Sequence, residues 1–149
     1  MEQTIKIRLL ECIGNIYEVS RDCKLETAFF DQVDKELTEL SNYFGISHTQ
    51  SLLVAMVFSL NYRGDTVDFN DLTLHFDCNP MKLLEYSDDF SSLYSKGILI
   101  KEKSAHRIKL ALTNDQITIN EKITEAILTN QPMPQLREEK PTDIIELLE

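Results

Sequence analysis

Tryptophan is absent from this chain of 149 residues, and glycine and proline occur only four times each. So little glycine and proline argues against a fibrous or loop-rich protein. Cysteine is also scarce. Its three residues, an odd number, predict reduced thiols rather than a disulfide framework, and therefore a cytoplasmic setting.

Long apolar runs are missing as well. The longest, residues 52–60, has nine residues and contains Ser59, whereas about 20 are needed to span a bilayer. The N-terminus lacks the basic start and the following apolar stretch of a signal peptide. We therefore expect neither a membrane span nor export.

Positive charge is in short supply. Fifteen Lys and Arg oppose 25 Asp and Glu, which gives a net charge of −10 and argues against broad attraction to nucleic acid or anionic lipid. Residues 1–44 carry a net charge of −4, residues 45–112 one of −1, and residues 113–149 one of −5. The near-neutral middle is also the most apolar part, so we expect the main core there.

Two apolar stripes at helical spacing predict two helices in the first segment. The first stripe consists of Leu9, Leu10, Ile13, Ile16 and Tyr17. The second consists of Phe29, Val33, Leu37, Leu40 and Phe44. With residues 21–27 as the connection, we expect an antiparallel helical hairpin. The alternative is a self-associating coiled coil, because the second stripe is nearly heptad-spaced.

The middle segment is predicted to begin with a buried helix. Gly45 ends the preceding helix, Ser47 caps the next one, and residues 49–61 are apolar almost all round. A turn at 63–65 leads into a short strand at 66–69.

A second pair of helices follows. Asn70 is expected to cap a short helix at 71–76, and Asn79 with Pro80 in the first helical position starts the next helix. Gly97 is expected to end that helix. Its expected buried side chains are Leu83, Leu84, Phe90 and Leu93.

Residues 98–100 and 108–112 are β-like and predict a hairpin. The whole order of elements over residues 46–112 resembles the winged helix, a helix-turn-helix with a β-hairpin wing. The passages that carry the resemblance are Asp71-Leu72 with Phe76, Cys78-Asn79-Pro80, Leu83-Leu84 and Leu93-Tyr94-Ser95-Lys96-Gly97-Ile98-Leu99. We therefore expect a mainly α fold, a helical N-terminal hairpin plus a winged helix.

A wider resemblance covers nearly the whole chain. It is carried by the helical N-terminus with Leu60-Asn61-Tyr62, Asn120-Glu121-Lys122 and Asn130-Gln131-Pro132-Met133-Pro134. These passages are similar to the N-terminal region of bacterial AAA-family ATPases, chiefly of the Bacteroidetes type. The resemblance implies a helical, winged-helix-like region that precedes a nucleotide-binding core. None of the four glycines opens a G-x-x-x-x-G-K-[ST] phosphate cradle, so we expect no ATP binding by this chain.

Three domains are predicted from these patterns. Residues 1–44 form the N-terminal helical segment, residues 45–130 the winged helix with a C-terminal helix, and residues 131–149 a linker and the start of a helix. Because the apolar residues 144–148 would form only a short helix, we expect that helix to continue beyond Glu149.

Candidate nucleic-acid contacts are few. They are Lys82, Lys101, Lys103, Arg107 and Lys109. The helix that would enter the major groove carries three acids beside Lys82, namely Glu85, Asp88 and Asp89. We therefore expect a protein-interaction or regulatory role in an AAA-family ATPase. The alternative is the DNA-binding domain of a transcriptional regulator.

No catalytic, cofactor-binding or metal-binding residue is predicted. Ser47 lies in a sequence that lacks the second glycine of a nucleophile elbow, and we expect it to be a helix cap. His75 and Cys78 supply only two of the ligands that zinc needs, and Cys78 is expected in the core. The expected partner is another protein or the downstream ATPase domain. Oligomers could form through the N-terminal helices or the ATPase core.

Overall fold

The computed structural model describes residues 4–62, 67–102 and 116–136. The helices in these ranges are α1 (Ile5–Ser20), α2 (Thr27–Gln32), α3 (Asp34–Phe44), α4 (His48–Asn61), α5 (Phe69–Phe76), α6 (Pro80–Leu84), α7 (Ser87–Ser95) and α8 (Glu121–Leu128). The strands are β1 (Leu99–Glu102) and β2 (Gln116–Ile119).

Helices α1 and α3 form the antiparallel hairpin that the apolar stripes predict. The ion pair between Arg8 and Glu39 (3.4 Å) and the hydrogen bond from Asn15 to Glu36 (2.8 Å) join the two helices in opposite directions. The second stripe is interrupted at Val33, where α2 gives way to α3, yet every apolar residue of that stripe is buried. The side chains of this stripe pack against α1 and α4 of the same chain.

Helix α4 is the central helix, as predicted. Gly45 ends α3 at a φ of +71°, and the hydroxyl of Ser47 begins α4 by accepting a 3.1 Å hydrogen bond from the Gln50 amide. Every residue from 51 to 58 is buried. Among the described residues, no single helix is long and apolar enough to cross a membrane. Helices α3 and α4 meet the length and composition criteria only as a pair bent by 88°.

The cap of α5 differs from the prediction. Asp68, rather than Asn70, caps this helix. Its carboxylate accepts the Asp71 amide at 2.8 Å, and the Asp71 carboxylate accepts the Asp68 amide at 2.9 Å. Such a reciprocal capping box satisfies two amides at once, whereas a single cap satisfies one.

Within the described residues 67–69 of the predicted strand, the structure has one bridge. Val67 pairs with Ile117, and Phe69 already belongs to α5 because the capping box starts that helix at once. The predicted turn at 63–65 lies outside the described residues.

Two helices occupy the span in which one was predicted. Asn79 caps α6 as expected, with Pro80 in its first turn, but the helix ends at Leu84 and α7 begins at Ser87. The prediction that Leu84 is buried was wrong: it is 41% exposed, whereas Leu83 is fully buried. Neighbouring side chains on a helix point about 100° apart, so this short helix turns only one of the two leucines inward. Phe90 and Leu93 of α7 are buried as predicted, and Gly97 follows that helix at a φ of +76°.

The wing contains a strand pairing that was not predicted. Strand β1 pairs antiparallel with β2, in the register Leu99 with Ile119 and Lys101 with Ile117. The predicted partner, residues 108–112, lies outside the described residues. The side chains of Ile117 and Ile119 in β2 are buried against the core.

The chain after β2 returns to the N-terminal hairpin. Asn120 caps α8, which is the predicted C-terminal helix, and its Ile123, Ala126 and Ile127 are buried. Past α8, the side chain of Asn130 accepts the Lys6 amide at 2.9 Å. The hydroxyl of Tyr43 donates to the Gln131 carbonyl at 2.8 Å.

The fold class is confirmed. The chain is mainly helical, and it combines the helical hairpin with helices α5 to α7 and a two-stranded antiparallel wing. One continuous hydrophobic core runs from α1 to α8, so the first 44 residues and the following segment are packed together.

Candidate interaction groove

The cations predicted to contact nucleic acid are partly engaged or lie outside the described residues. The Lys82 ammonium lies 3.7 Å from the Glu85 carboxylate on the same helix. Lys101 is exposed on β1, with its ammonium 5.9 Å from the centre of the Tyr94 ring. Lys103, Arg107 and Lys109 lie outside the described ranges.

The surface of α5 and α6 is apolar rather than basic. Leu74, Met81 and Leu84 are large exposed hydrophobic residues on these two contacting helices. The side chain of Asp89, on α7, accepts a 3.2 Å hydrogen bond from Gln50 and so is held against α4. This surface offers few of the cationic groups that bind the phosphates of a DNA duplex.

Ser20 and His75 form the closest serine–histidine pair described. The hydroxyl of Ser20 lies 2.8 Å from Nε2 of His75, and the imidazole stacks on the Tyr17 ring with centroids 5.0 Å apart. Burial, and then the charge of Arg21, lowers the pKa of His75. Ser20 is fully buried, so its hydroxyl has no access to a substrate. The pair therefore joins α1 to α5.

The three thiols are partly buried and unpaired with one another. Burial is the largest of the effects that raise the pKa of Cys12, Cys23 and Cys78, which lowers the reactive thiolate fraction. The prediction that Cys78 lies in the core was wrong in degree: it packs against the edge of the core, at the turn where the backbone leaves α5. The described residues contain no group of three or more His, Cys, Asp and Glu that could hold a metal ion.

An open apolar groove lies between α1, the end of α4, β2 and α8. Its larger lobe has a volume of about 700 Å³ and is lined by α4, β2 and α8. Its smaller lobe has a volume of about 530 Å³ and is lined mainly by α1 and α4. Phe58, Tyr62 and Leu128 line both lobes, so the two lobes adjoin at these side chains, and we treat them together as one groove.

Tyr62 stands at the junction of the two lobes. It is 68% exposed, and its ring stacks on buried Phe58 with centroids 5.9 Å apart and an interplanar angle of 15°. The stack supports the tyrosine ring from one side. Amphipathic aromatic side chains of this kind are enriched among the residues that dominate protein interfaces.

Asn61 holds β2 against the end of α4 and so shapes the larger lobe. Its side-chain NH₂ donates to the Ile117 carbonyl (3.4 Å), and its side-chain oxygen accepts the Ile119 amide (3.1 Å). The Ile117 amide donates to the Val67 carbonyl at 2.6 Å. The amides of β2 that point away from β1 are therefore occupied at Ile117 and Ile119.

Sequence reasoning missed the groove. Asn61 and Tyr62 entered only as part of a resemblance, although a large aromatic residue directly after a fully apolar helix is a local signal. The other walls come from α1 and α8, which are distant in sequence, so no local pattern could have joined them.

Comparison of the chain with protein-family models, with curated proteins and with solved structures finds no match in any of the three.

Proposed function

We propose that this chain is a non-catalytic protein-interaction module and that the groove binds its partner. The observation that carries the proposal is the exposure of Tyr62 at the junction of two apolar lobes. Removal of apolar surface from water drives association, and an exposed aromatic residue in a concave apolar site is a typical anchor for it.

In this proposal the module regulates, or selects a substrate for, an AAA-family ATPase in the cytoplasm. The sequence resemblance supports this role, and its passages include Asn61 and Tyr62 of the groove and the first turn of α8. A partner that binds here would act through the nucleotide-binding core expected downstream.

A DNA-binding winged helix is the alternative function, and exposed Lys101 on the wing is the observation that favours it. The apolar surface of α5 and α6 and the net charge of −10 oppose it. We expect no binding of a labelled random-sequence duplex at physiological salt in an anisotropy titration. Tight binding that Lys101→Ala abolishes would replace the protein-interaction proposal with the alternative.

Site-specific photo-cross-linking in the native cells tests the proposed function directly. A photoreactive benzoylphenylalanine at Thr124 lies in the groove, whereas the same residue at exposed Asp31 lies outside the groove lining. We expect a discrete protein adduct from position 124 and none of that mass from position 31. Equal adducts from both positions, or none from either, would contradict the proposal.

A further inference from the structure

Helix α8, which lines the larger lobe together with α4 and β2, carries two acidic residues. Glu121 and Glu125 lie one turn apart on α8, and both line the larger lobe. Within residues 4–62, 67–102 and 116–136, neither carboxylate forms an ion pair with a lysine or arginine. The larger lobe thus combines an apolar floor with a negative rim.

One wall of the smaller lobe presents the apolar face of α1. Leu10, Ile13, Gly14 and Tyr17 line the smaller lobe at the spacing of one helical face. Arg21, directly after α1, also lines this lobe, with its guanidinium 5.8 Å from the centre of the Tyr17 ring, so the acidic rim belongs to the larger lobe alone. A Cβ atom added at Gly14 would meet no atom within 4 Å, so this wall opens directly into the groove. Helix α1 therefore lines the smaller lobe and helix α8 the larger lobe, and Phe58 and Tyr62 lie between them.

The backbone hydrogen bonds favour a helical ligand over an extended one. An added strand needs unpaired amides along a sheet edge. The outward amides of Ile117 and Ile119 already donate to Val67 and to Asn61. A helix satisfies its own backbone groups, so it can occupy an apolar trough without such an edge.

We infer that the groove binds an amphipathic helix of a partner protein, with lysine or arginine flanking the apolar face of that helix. The inference rests on the proposed function, because it names the partner class for the same groove. The apolar face would pack on Tyr62 and Phe58, and the basic flank would lie along Glu121 and Glu125. The net charge of −10 would speed the approach of such a partner at low salt.

Three synthetic peptides test the inference by fluorescence anisotropy on the full chain. All have the same length: the first places a leucine face between lysine flanks, the second replaces the lysines by glutamate, and the third scrambles the first. We expect the basic amphipathic peptide to bind at least about tenfold more tightly than the other two, with affinity that falls as salt rises.

Two variants locate the site. The double variant Glu121→Lys with Glu125→Lys should reverse the preference, so that the acidic peptide binds more tightly. The control variant Glu26→Lys with Asp31→Lys changes the net charge by the same amount outside the groove lining, and it should not reverse the preference. Gly14→Leu should fill the smaller lobe and abolish binding of the basic peptide. Because glycine is unfavourable inside a helix, this variant should keep or raise the melting temperature, which separates blocking from unfolding.

Each other outcome overturns the inference. Equal binding of the acidic amphipathic peptide would remove the charge preference, and equal binding of the scrambled peptide would show only non-specific attraction. Absence of peptide binding, with adducts still formed from position 124, would refute the helical partner and leave the groove as a protein-binding site. Loss of those adducts is the separate result that refutes the proposed function.

Discussion

Leu83 and Leu84 are adjacent on α6 and offer a matched pair of substitutions. Leu83 is fully buried and Leu84 is 41% exposed. Leu→Ala removes three carbons, worth about 2.4 kcal/mol when buried at about 0.8 kcal/mol per methylene. A cavity left in a tight core brings the total for Leu83→Ala to about 3–5 kcal/mol. Leu84→Ala should cost only about 1 kcal/mol, because part of its side chain is already hydrated and no closed cavity forms.

Urea unfolding, followed by circular dichroism, measures both free energies of unfolding. The two substitutions have the same effect on helix propensity, so their difference reports burial alone. The slopes with urea should agree for the two variants and the wild type, which confirms a common unfolded state. A loss for Leu84→Ala that equals or exceeds the loss for Leu83→Ala would refute the exposed position of Leu84.

Further predictions concern a titrating group, a turn and a ligand. Because burial and Arg21 lower the pKa of His75 from 6.5, the unfolded chain binds more protons at acid pH. Stability should therefore fall as pH drops below about 6.5, and His75→Gln should reduce that dependence in urea titrations across the range. Gly45→Ala should lower the free energy of unfolding by about 1–2 kcal/mol, because the φ of Gly45 is +71°. Gly14→Ala should raise it by about 0.5–1 kcal/mol, because the added Cβ atom meets open space. Thermal melts of the two variants compare these effects. Titration calorimetry with Mg-ATP should show no saturable heat, and stoichiometric binding would reveal a nucleotide site outside the known motifs.

Local sequence signals predicted the elements whose causes are local. Ser47 and Asn79 cap α4 and α6 as expected, because a cap depends on a side chain and an amide two or three residues away. The stripes of α1 and α3 were predicted for the same reason. The cap of α5 was misplaced because Asn70 and Asp68 are both good capping residues, and only the reciprocal bond to Asp71 decides between them.

Features that depend on contacts between residues far apart in the sequence could not be predicted from local patterns. The apolar residues on either side of the break after Leu84 are spaced as they would be in one long helix, so their spacing alone does not predict the break. The pairing of β1 with β2 was not predicted, because it accompanies packing of Ile117 and Ile119 against the core, which no local pattern shows. The groove needs α1, α4 and α8 side by side, so its walls could be described only after the fold was known.

The bond from the Lys6 amide to Asn130 ties the first turn of the fold to residues made 124 positions later. Ribosomes add about 5–20 residues per second, so an emerging chain waits several seconds for this contact. Until Asn130 has left the exit tunnel, α8 cannot pack on α1, and the groove lacks the part of its lining that α8 supplies. The nascent chain would therefore complete this binding surface only after α8 and the segment that follows it have emerged.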